Sequence, residues 1–252
     1  MSKFFLTDEN IFDDHVVILG EDAKHIARVL RMKIGDPVMV CDSAQTDYFC
    51  TITEMQSERI VAQINRCQSN QTEPPFRVYL FQAVPKSDKM DSIVQKAVEC
   101  GVYSVIPILS ERCVSRPEPS AMKRKTERWQ KIAESAAKQC GRGIIPKVGS
   151  VQTFSEALKE ASKANLPILC YEGEDTISLP RIFSCYKDKY QAIPKEISVL
   201  IGPEGGFSET EVLSAKMAGM TLAGLGKRIL RTETASAFFL ACTSFAFELL
   251  NE

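Results

Sequence analysis

The chain has 252 residues, 44% hydrophobic and 25% charged, which is enough apolar material for a sizeable core and enough length for two modest domains. A formal net charge of -1 by itself recruits neither nucleic acid nor membrane, although the residues after Glu73 are mildly basic, with 24 Lys and Arg against 20 Asp and Glu. The opening MSKFFLTDEN has too short an apolar run to read as a signal peptide, no segment reads as apolar enough to span a membrane, and nine cysteines at least nine residues apart with only two histidines exclude zinc-type spacing, so a cytoplasmic protein with reduced thiols and no metal is expected.

In chain order, the first elements are short strands around one helix. HVVILG reads as a strand closed by glycine, and EDAKHIARVLRM places Ile26, Val29 and Leu30 on one helical face. GDPVMVCD, DYFCTITEM and RIVAQINRC follow as strands, making a β-rich module over residues 1–70. The polar, proline-terminated QSNQTEPP at 68–75 is the expected linker. From Phe76 strands alternate with helices, the pattern of an α/β domain with a largely parallel sheet over 75–252.

RVYLFQAV is a strand, and SDKMDSIVQKAVECG puts Met90, Ile93, Val94, Ala97 and Val98 at helical spacing before the stop at Gly101. VYSVIPIL is the next strand. RWQKIAESAAKQCG repeats the helical spacing from Trp129 to Cys140. TFSE and SETE are capping boxes, each opening a helix. The last helix, predicted from Thr234 to Leu249, is apolar nearly all round, so the domain or a partner subunit should bury several of its sides.

Two segments have the composition of ligand-binding loops. In LIGPEGGFSETEV, from Leu200 to Val212, an apolar strand ends in three glycines, a proline and a glutamate and turns at once into a capped helix. Such a backbone approaches a ligand closely and presents a helix N-terminus, although a tight strand-to-helix turn uses the same residues. Neither the GxGxxG nor the GK[ST] phosphate fingerprint is present. LGKRILRTETASA, from Leu225 to Ala237, is a second glycine loop after a strand. Two such loops tend to share the carboxyl edge of an α/β sheet, where ligands bind.

Basic residues supply the third feature. Lys24, Arg28 and Arg31 repeat at four- and three-residue spacing, and Lys123, Arg124 and Arg128 belong to a basic run reaching Lys147. Either ridge alone is an ordinary solvated face; together they suit a phosphate backbone. Trp129 is read as core.

HIARVLRMKIGD, KSDKMDSIVQKAVECGV, ILSERCVSR, RWQKIAESAAKQCGR, LIGPEGGFSETEV and LGKRILRTETASA occur in one order across most of the chain. In this the sequence closely resembles the bacterial RsmE family, the small-subunit ribosomal RNA uracil-N3 methyltransferases of the SPOUT superfamily. The resemblance implies a small N-terminal PUA-like β-barrel that binds RNA and an α/β SPOUT domain with a trefoil knot. It further implies a homodimer, S-adenosylmethionine as cofactor, and 16S ribosomal RNA in the small subunit as substrate.

Carried onto this sequence, the cofactor would lie against Ile201, Gly202, Pro203, Glu204, Gly205 and Gly206. Leu225, Gly226, Ile229, Leu230 and Arg231 would form the second loop, with Thr232, Thr234 and Ala235 at the start of the last helix. Tyr171 and Glu172 match the strand end that completes such pockets. Methylation at N3 requires an anionic nitrogen, so Arg231 is the first candidate for stabilising it and Arg142 the second. Glu204, Glu172 and Glu233 are the carboxylates available to take the proton. Methylation of a ribose 2′-OH and a non-catalytic ribosome-assembly role are the competing readings.

Overall fold

The computed structural model describes residues 3–42, 44–116 and 118–251, in two units: Met1–Glu73 with Ser135–Ile145, and Pro74–Glu134 with Pro146–Glu252. In the first unit, β1 (Lys3–Phe5), β2 (His15–Leu19), α1 (Gly20–Lys24), β3 (Pro37–Cys41), β4 (Thr46–Met55) and β5 (Arg59–Ser69) follow in chain order. The strands form one sheet in the order β1-β3-β4-β5-β2, antiparallel except for β1 with β3. Alternation decides what is inside: Val16 and Ile18, Val38 and Val40, Ile60 and Ala62 all turn to one core with Phe4, Ala23 and Ile26.

Two sequence expectations need correction here. The helix after β2 does not keep α periodicity, because from His25 to Val29 it widens into a π turn, with the Leu30 amide donating to the His25 carbonyl. That extra residue per turn rotates Val29 and Leu30 off the buried face, so only Ile26 of the expected trio is buried. At the other end, β5 runs on into the expected linker, pairing Gln68 with Asp47 and Ser69 with Thr46.

Residues 135–145 join this unit through polar contacts that sequence spacing could not announce. The Gly141 carbonyl accepts from Lys3 Nζ at 3.1 Å, Thr72 Oγ1 at 3.2 Å and Asn70 Nδ2 at 3.3 Å. Lys3, almost fully buried, is neutralised by Asp47 at 2.7 Å. Lys138 reaches Asp22 at 2.6 Å. The buried Arg142 guanidinium donates to both Glu73 oxygens, at 2.8 and 2.6 Å, and the Gly143 amide donates to one of them. A guanidinium fork matched to a carboxylate is the geometry in which a buried pair holds best.

The second unit continues with β6 (Arg77–Ala83), α2 (Lys89–Glu99), β7 (Ser104–Leu109), α3 (Pro119–Cys140, whose residues from Ser135 onward lie in the first unit), β8 (Lys147–Val148), β9 (Gln152–Thr153) and α4 (Phe154–Ala161). It ends with β10 (Leu166–Cys170), β11 (Ile177–Ser178), α5 (Leu179–Tyr190), β12 (Glu196–Ile201), α6 (Glu209–Met217), β13 (Thr221–Gly224) and α7 (Thr232–Phe247). The sheet order is β11-β13-β10-β12-β6-β7-β8, with β9 beside β7 and every pairing parallel. Central β12 and β6 are accordingly near-continuous apolar runs. Both expected capping boxes form, at Thr153 with Glu156 and at Ser208 with Glu211. Trp129 is buried and its indole donates to Asp91 at 3.1 Å. The last helix starts two residues before the expected Thr234 and buries Ala235, Phe239, Leu240 and Phe247 but leaves Phe238 and Phe245 exposed.

Replacing Arg142 by Met strands Glu73 as an uncompensated buried charge, so this variant should lose about 3–5 kcal/mol of stability. Urea unfolding monitored by circular dichroism measures the loss, and Glu73→Gln, which keeps an acceptor for the guanidinium, should lose less.

Candidate active-site cleft

Strands β13, β10 and β12 are neighbours in register, with Leu169 paired to both Leu222 and Leu200, so their carboxyl ends finish together. A cleft of about 850 Å³ opens there. Its floor is main chain. After β12, Gly202 to Gly206 reverse direction, with the Gly206 amide donating to the Pro203 carbonyl at 2.9 Å and Gly206 at a φ of +66°. A Cβ on Gly202 would lie 3.2 Å from the Gly206 backbone, a neighbour that cannot swing away. Phe207 then plugs into the core against Phe154, and Ser208 caps α6, so the turn is fixed on its outgoing side.

The opposite wall is the loop from Leu225 to Arg231, in which Gly226 has a φ of +104°. Arg231 is the N-cap residue of α7, and the Thr232 hydroxyl donates to the Gly202 carbonyl at 2.7 Å, tying the two loops together. Tyr171 and Glu172 follow β10, the Tyr171 amide extending the sheet by bonding the Ala223 carbonyl. From the loop after β7, Arg112 reaches over and donates to the Gly205 carbonyl at 3.0 Å.

Charge is distributed unevenly around the cleft. Lys227, Arg228 and Arg231 line it, exposed and without an ion pair among the described residues, so one rim is cationic. Glu204 is held differently: its carboxylate accepts from the Lys86 amide at 3.2 Å and from Lys89 Nζ at 2.9 Å, and Lys89 also lies 3.5 Å from Glu233. Burial raises the Glu204 carboxyl, but hydrogen bonds from Lys89 and from the backbone amides of Glu204 and Lys86 outweigh it and hold it below the ordinary carboxylate value. Such a group stays ionised at neutral pH and makes a weak proton acceptor. At the foot of the cleft, burial pushes the Cys170 thiol far up, so it stays neutral and is no nucleophile, even though the residue as a whole retains some solvent contact.

Of the residues expected around a cofactor, the structure brings together Tyr171, Glu172, Ile201 to Gly206, Leu225, Gly226, Ile229 to Thr232 and Ala235. Thr234 does not line the cleft. It sits exposed in the first turn of α7, where helical rotation turns Ala235 toward the cavity. Arg142 is not among the lining residues either, being buried in the first unit against Glu73. Arg112, Cys170, Gly173, Thr176, Phe207 and Gly224 line the cleft without having been singled out for it. Cys170 and Gly173 flank Tyr171 and Glu172 in the strand-end motif, and Phe207 lies within the first glycine loop, so their neighbours in sequence carried the signal for them.

The two basic ridges divide in the same way. Arg28 and Arg31 are exposed with no ion pair among the described residues, as are Lys123 and Arg124. Lys24 is bound to Glu21 at 2.9 Å and Glu58 at 3.1 Å, and the hydrogen bond it donates to Glu21 leads the causes that raise its pKa. Arg128 is shared between Asp88 and Asp91. Among the described residues no group of three or more His, Cys, Asp or Glu could hold a metal ion, and no helix is long and apolar enough to cross a membrane.

Two family models match the sequence, an RNA methyltransferase domain over residues 72–244 and an RNA methyltransferase PUA domain over residues 18–65. The ribosomal RNA small subunit methyltransferase E of Bacillus subtilis is 34% identical over 236 residues, 93% of this chain and 91% of that protein. Among solved structures, the ribosomal RNA small subunit methyltransferase E from Neisseria gonorrhoeae bound to S-adenosyl methionine superposes with a TM-score of 0.85 at 29% identity, over 98% of both chains. A putative methyltransferase from Legionella pneumophila in complex with the bound cofactor SAM gives a TM-score of 0.84 at 26% identity, over 97% of both chains.

Two glycines of the turn separate close approach from mere turn preference. Gly202→Ala forces backbone against backbone and should cost about 1–3 kcal/mol. Gly205→Ala meets Arg112 at ordinary contact distances, its side chain at 3.4 Å and its carbonyl oxygen at 3.9 Å, and should stay within roughly 0.5 kcal/mol of wild type. Chemical denaturation of both variants checks the contrast.

Proposed function

The chain belongs to the ribosomal RNA small subunit methyltransferase E family, with a PUA-like N-terminal region and a SPOUT-type parallel-sheet domain, and from that premise we propose that it transfers the methyl group of S-adenosylmethionine to N3 of a uridine in 16S ribosomal RNA. The observation that carries the reading is the cleft at the ends of β12, β10 and β13, lined by main chain wherever glycine admits a ligand. Its volume of about 850 Å³ falls within the few hundred to about 1,000 Å³ typical of small-molecule sites. The residues present fit the cofactor: a glycine cradle that a side chain would fill, apolar Ile201, Leu225 and Leu230, and a carboxylate at Glu204.

When bound, S-adenosylmethionine supplies an electrophilic sulfonium methyl. The remaining work belongs to the chain. Uracil N3 carries a proton whose pKa lies well above neutrality, so the site must favour the anion. Arg231, at the mouth of the cleft and at the positive end of α7, stabilises negative charge developing on the imide. Glu204 is already committed to Lys89 and makes a weak acceptor, so the N3 proton passes to solvent water while the cationic rim stabilises the imide anion left behind. Because N3 lies on the Watson–Crick edge, the target base is unpaired or flipped out when it enters.

In this reading residues 1–70 form the RNA-binding domain and residues 75–252 the methyltransferase domain, with Arg28, Arg31, Lys123 and Arg124 contacting phosphates. Lys24 and Arg128 act on RNA only by exchanging their present carboxylate partners. The enzyme works in the cytoplasm, where its ribosomal substrate is made. A second copy covers the apolar stripe that α7 exposes at Phe238 and Phe245, seven residues apart on one helical face. Phe245→Glu should therefore shift sedimentation from dimer to monomer, and a wild type that sediments as a monomer would remove the dimer from the reading.

Methyl transfer from labelled cofactor to small subunits lacking this modification, followed by nucleoside analysis, should recover the label as 3-methyluridine; label in a 2′-O-methyl nucleoside would overturn the assignment. Arg231→Ala should lower kcat by about 10²–10³ with cofactor affinity much less affected.

A further inference from the structure

Strand β6 is apolar from Val78 to Phe81 and then places Gln82, wholly buried, between Ile201 of β12 and Pro107 of β7. A buried amide is costly unless its groups are partnered, and this one is only half partnered. Nε2 donates to the Ala83 carbonyl at 3.0 Å and to Thr232 Oγ1 at 2.9 Å, whereas Oε1 has no hydrogen-bond partner among the described residues. The Ala83 carbonyl accepts only, which identifies the amide end facing it as the nitrogen. Thr232 Oγ1 therefore accepts a hydrogen bond from Gln82 and donates one to the Gly202 carbonyl at 2.7 Å. A chain of donors thus runs from the centre of the sheet to the first residue of the glycine turn. Packing alone would favour a hydrophobe at this position; the amide's satisfied half is the half aimed at the cleft.

We propose that Gln82 is a positioning residue for the cofactor: by committing the Thr232 hydroxyl to the Gly202 carbonyl, it holds the Gly202–Gly206 turn in its binding shape before the ligand enters. The inference rests on the reading that this cleft holds S-adenosylmethionine. Neither Gln82 nor its amide lines the cleft, so its effect is one of pre-organisation, which appears in affinity rather than in the chemical step.

Gln82→Met keeps length and flexibility, removes the donor, and also removes the unpartnered acceptor. Its thermal stability should equal or exceed that of wild type. In the absence of ligand, hydrogen exchange of the peptide covering residues 202–207 should rise about tenfold, and calorimetric affinity for S-adenosylmethionine should fall about tenfold, the scale of one ordinary hydrogen bond. The kcat at saturating cofactor should be retained. Thr232→Val should reproduce the change in exchange, and the double variant should be no worse than Thr232→Val alone, because both singles break one chain. Unchanged exchange and affinity in folded Gln82→Met would overturn the proposal, as would additive losses in the double variant. Wild type that binds no S-adenosylmethionine would overturn the reading of the cleft and the cofactor half of this inference, while the exchange measurement separately decides whether Gln82 holds the turn.

Discussion

The turn from Gly202 to Gly206 is the constraint on which the rest of the site depends. Strand β12 emerges from the middle of a parallel sheet, and its chain must double back within a few residues while still feeding a capped helix. Backbone therefore approaches backbone so closely that a Cβ on Gly202 would lie 3.2 Å from the main chain of Gly206 and force it to shift. A turn made of glycine has high conformational freedom when unsupported. Here three separate elements remove that freedom: the N-terminus of α7 through Thr232, the loop after β7 through Arg112, and the first turn of α2 with the segment leading into it through Lys89 and Lys86. The cleft is thus an arrangement of carbonyls and amides whose rigidity is borrowed from side chains distant in sequence.

That division explains how much was legible in the amino-acid order. The β-rich first part, the change to alternating strands and helices after Phe76, the two capping boxes and the two glycine loops are all local patterns, set by residues within a few positions of one another. The co-location of the loops followed from a general property of parallel sheets. The anchors are another matter: Arg112 with Gly205, Gln82 with Thr232, and Lys89 with Glu204 join residues 93, 150 and 115 positions apart, and no spacing rule announces them. Arg112 and Lys89 lie in stretches that carried the family resemblance, but their partners became visible only in three dimensions.

Basic residues gave the least reliable signal, for a definite reason. A lysine or arginine in sequence is a free cation; in the structure its meaning depends on the nearest carboxylate. Lys138 with Asp22, Arg142 with Glu73, and Arg128 with Asp88 and Asp91 are structural pairs within a run that reads as a phosphate-binding surface. Arg231, Lys227 and Arg228 have no such partner among the described residues and remain available to the cleft. The helix after β2 shows the same limit for apolar periodicity, because one π turn is enough to send Val29 and Leu30 outward.

The discontinuity of the first unit bears on how this chain is born. Synthesis delivers its five strands first, yet Lys3, Asn70 and Thr72 all await the carbonyl of Gly141, and Glu73 awaits Arg142. Between them on the nascent chain lie β6, α2, β7 and most of α3, which belong to the other unit. Emergence from the ribosome therefore does not complete the units one after the other, as it does for domains strung end to end. The early sheet leaves the exit tunnel with a buried-type carboxylate still hydrated, and it locks only when residues 135–145 return to it, by which time part of the later unit has already been made.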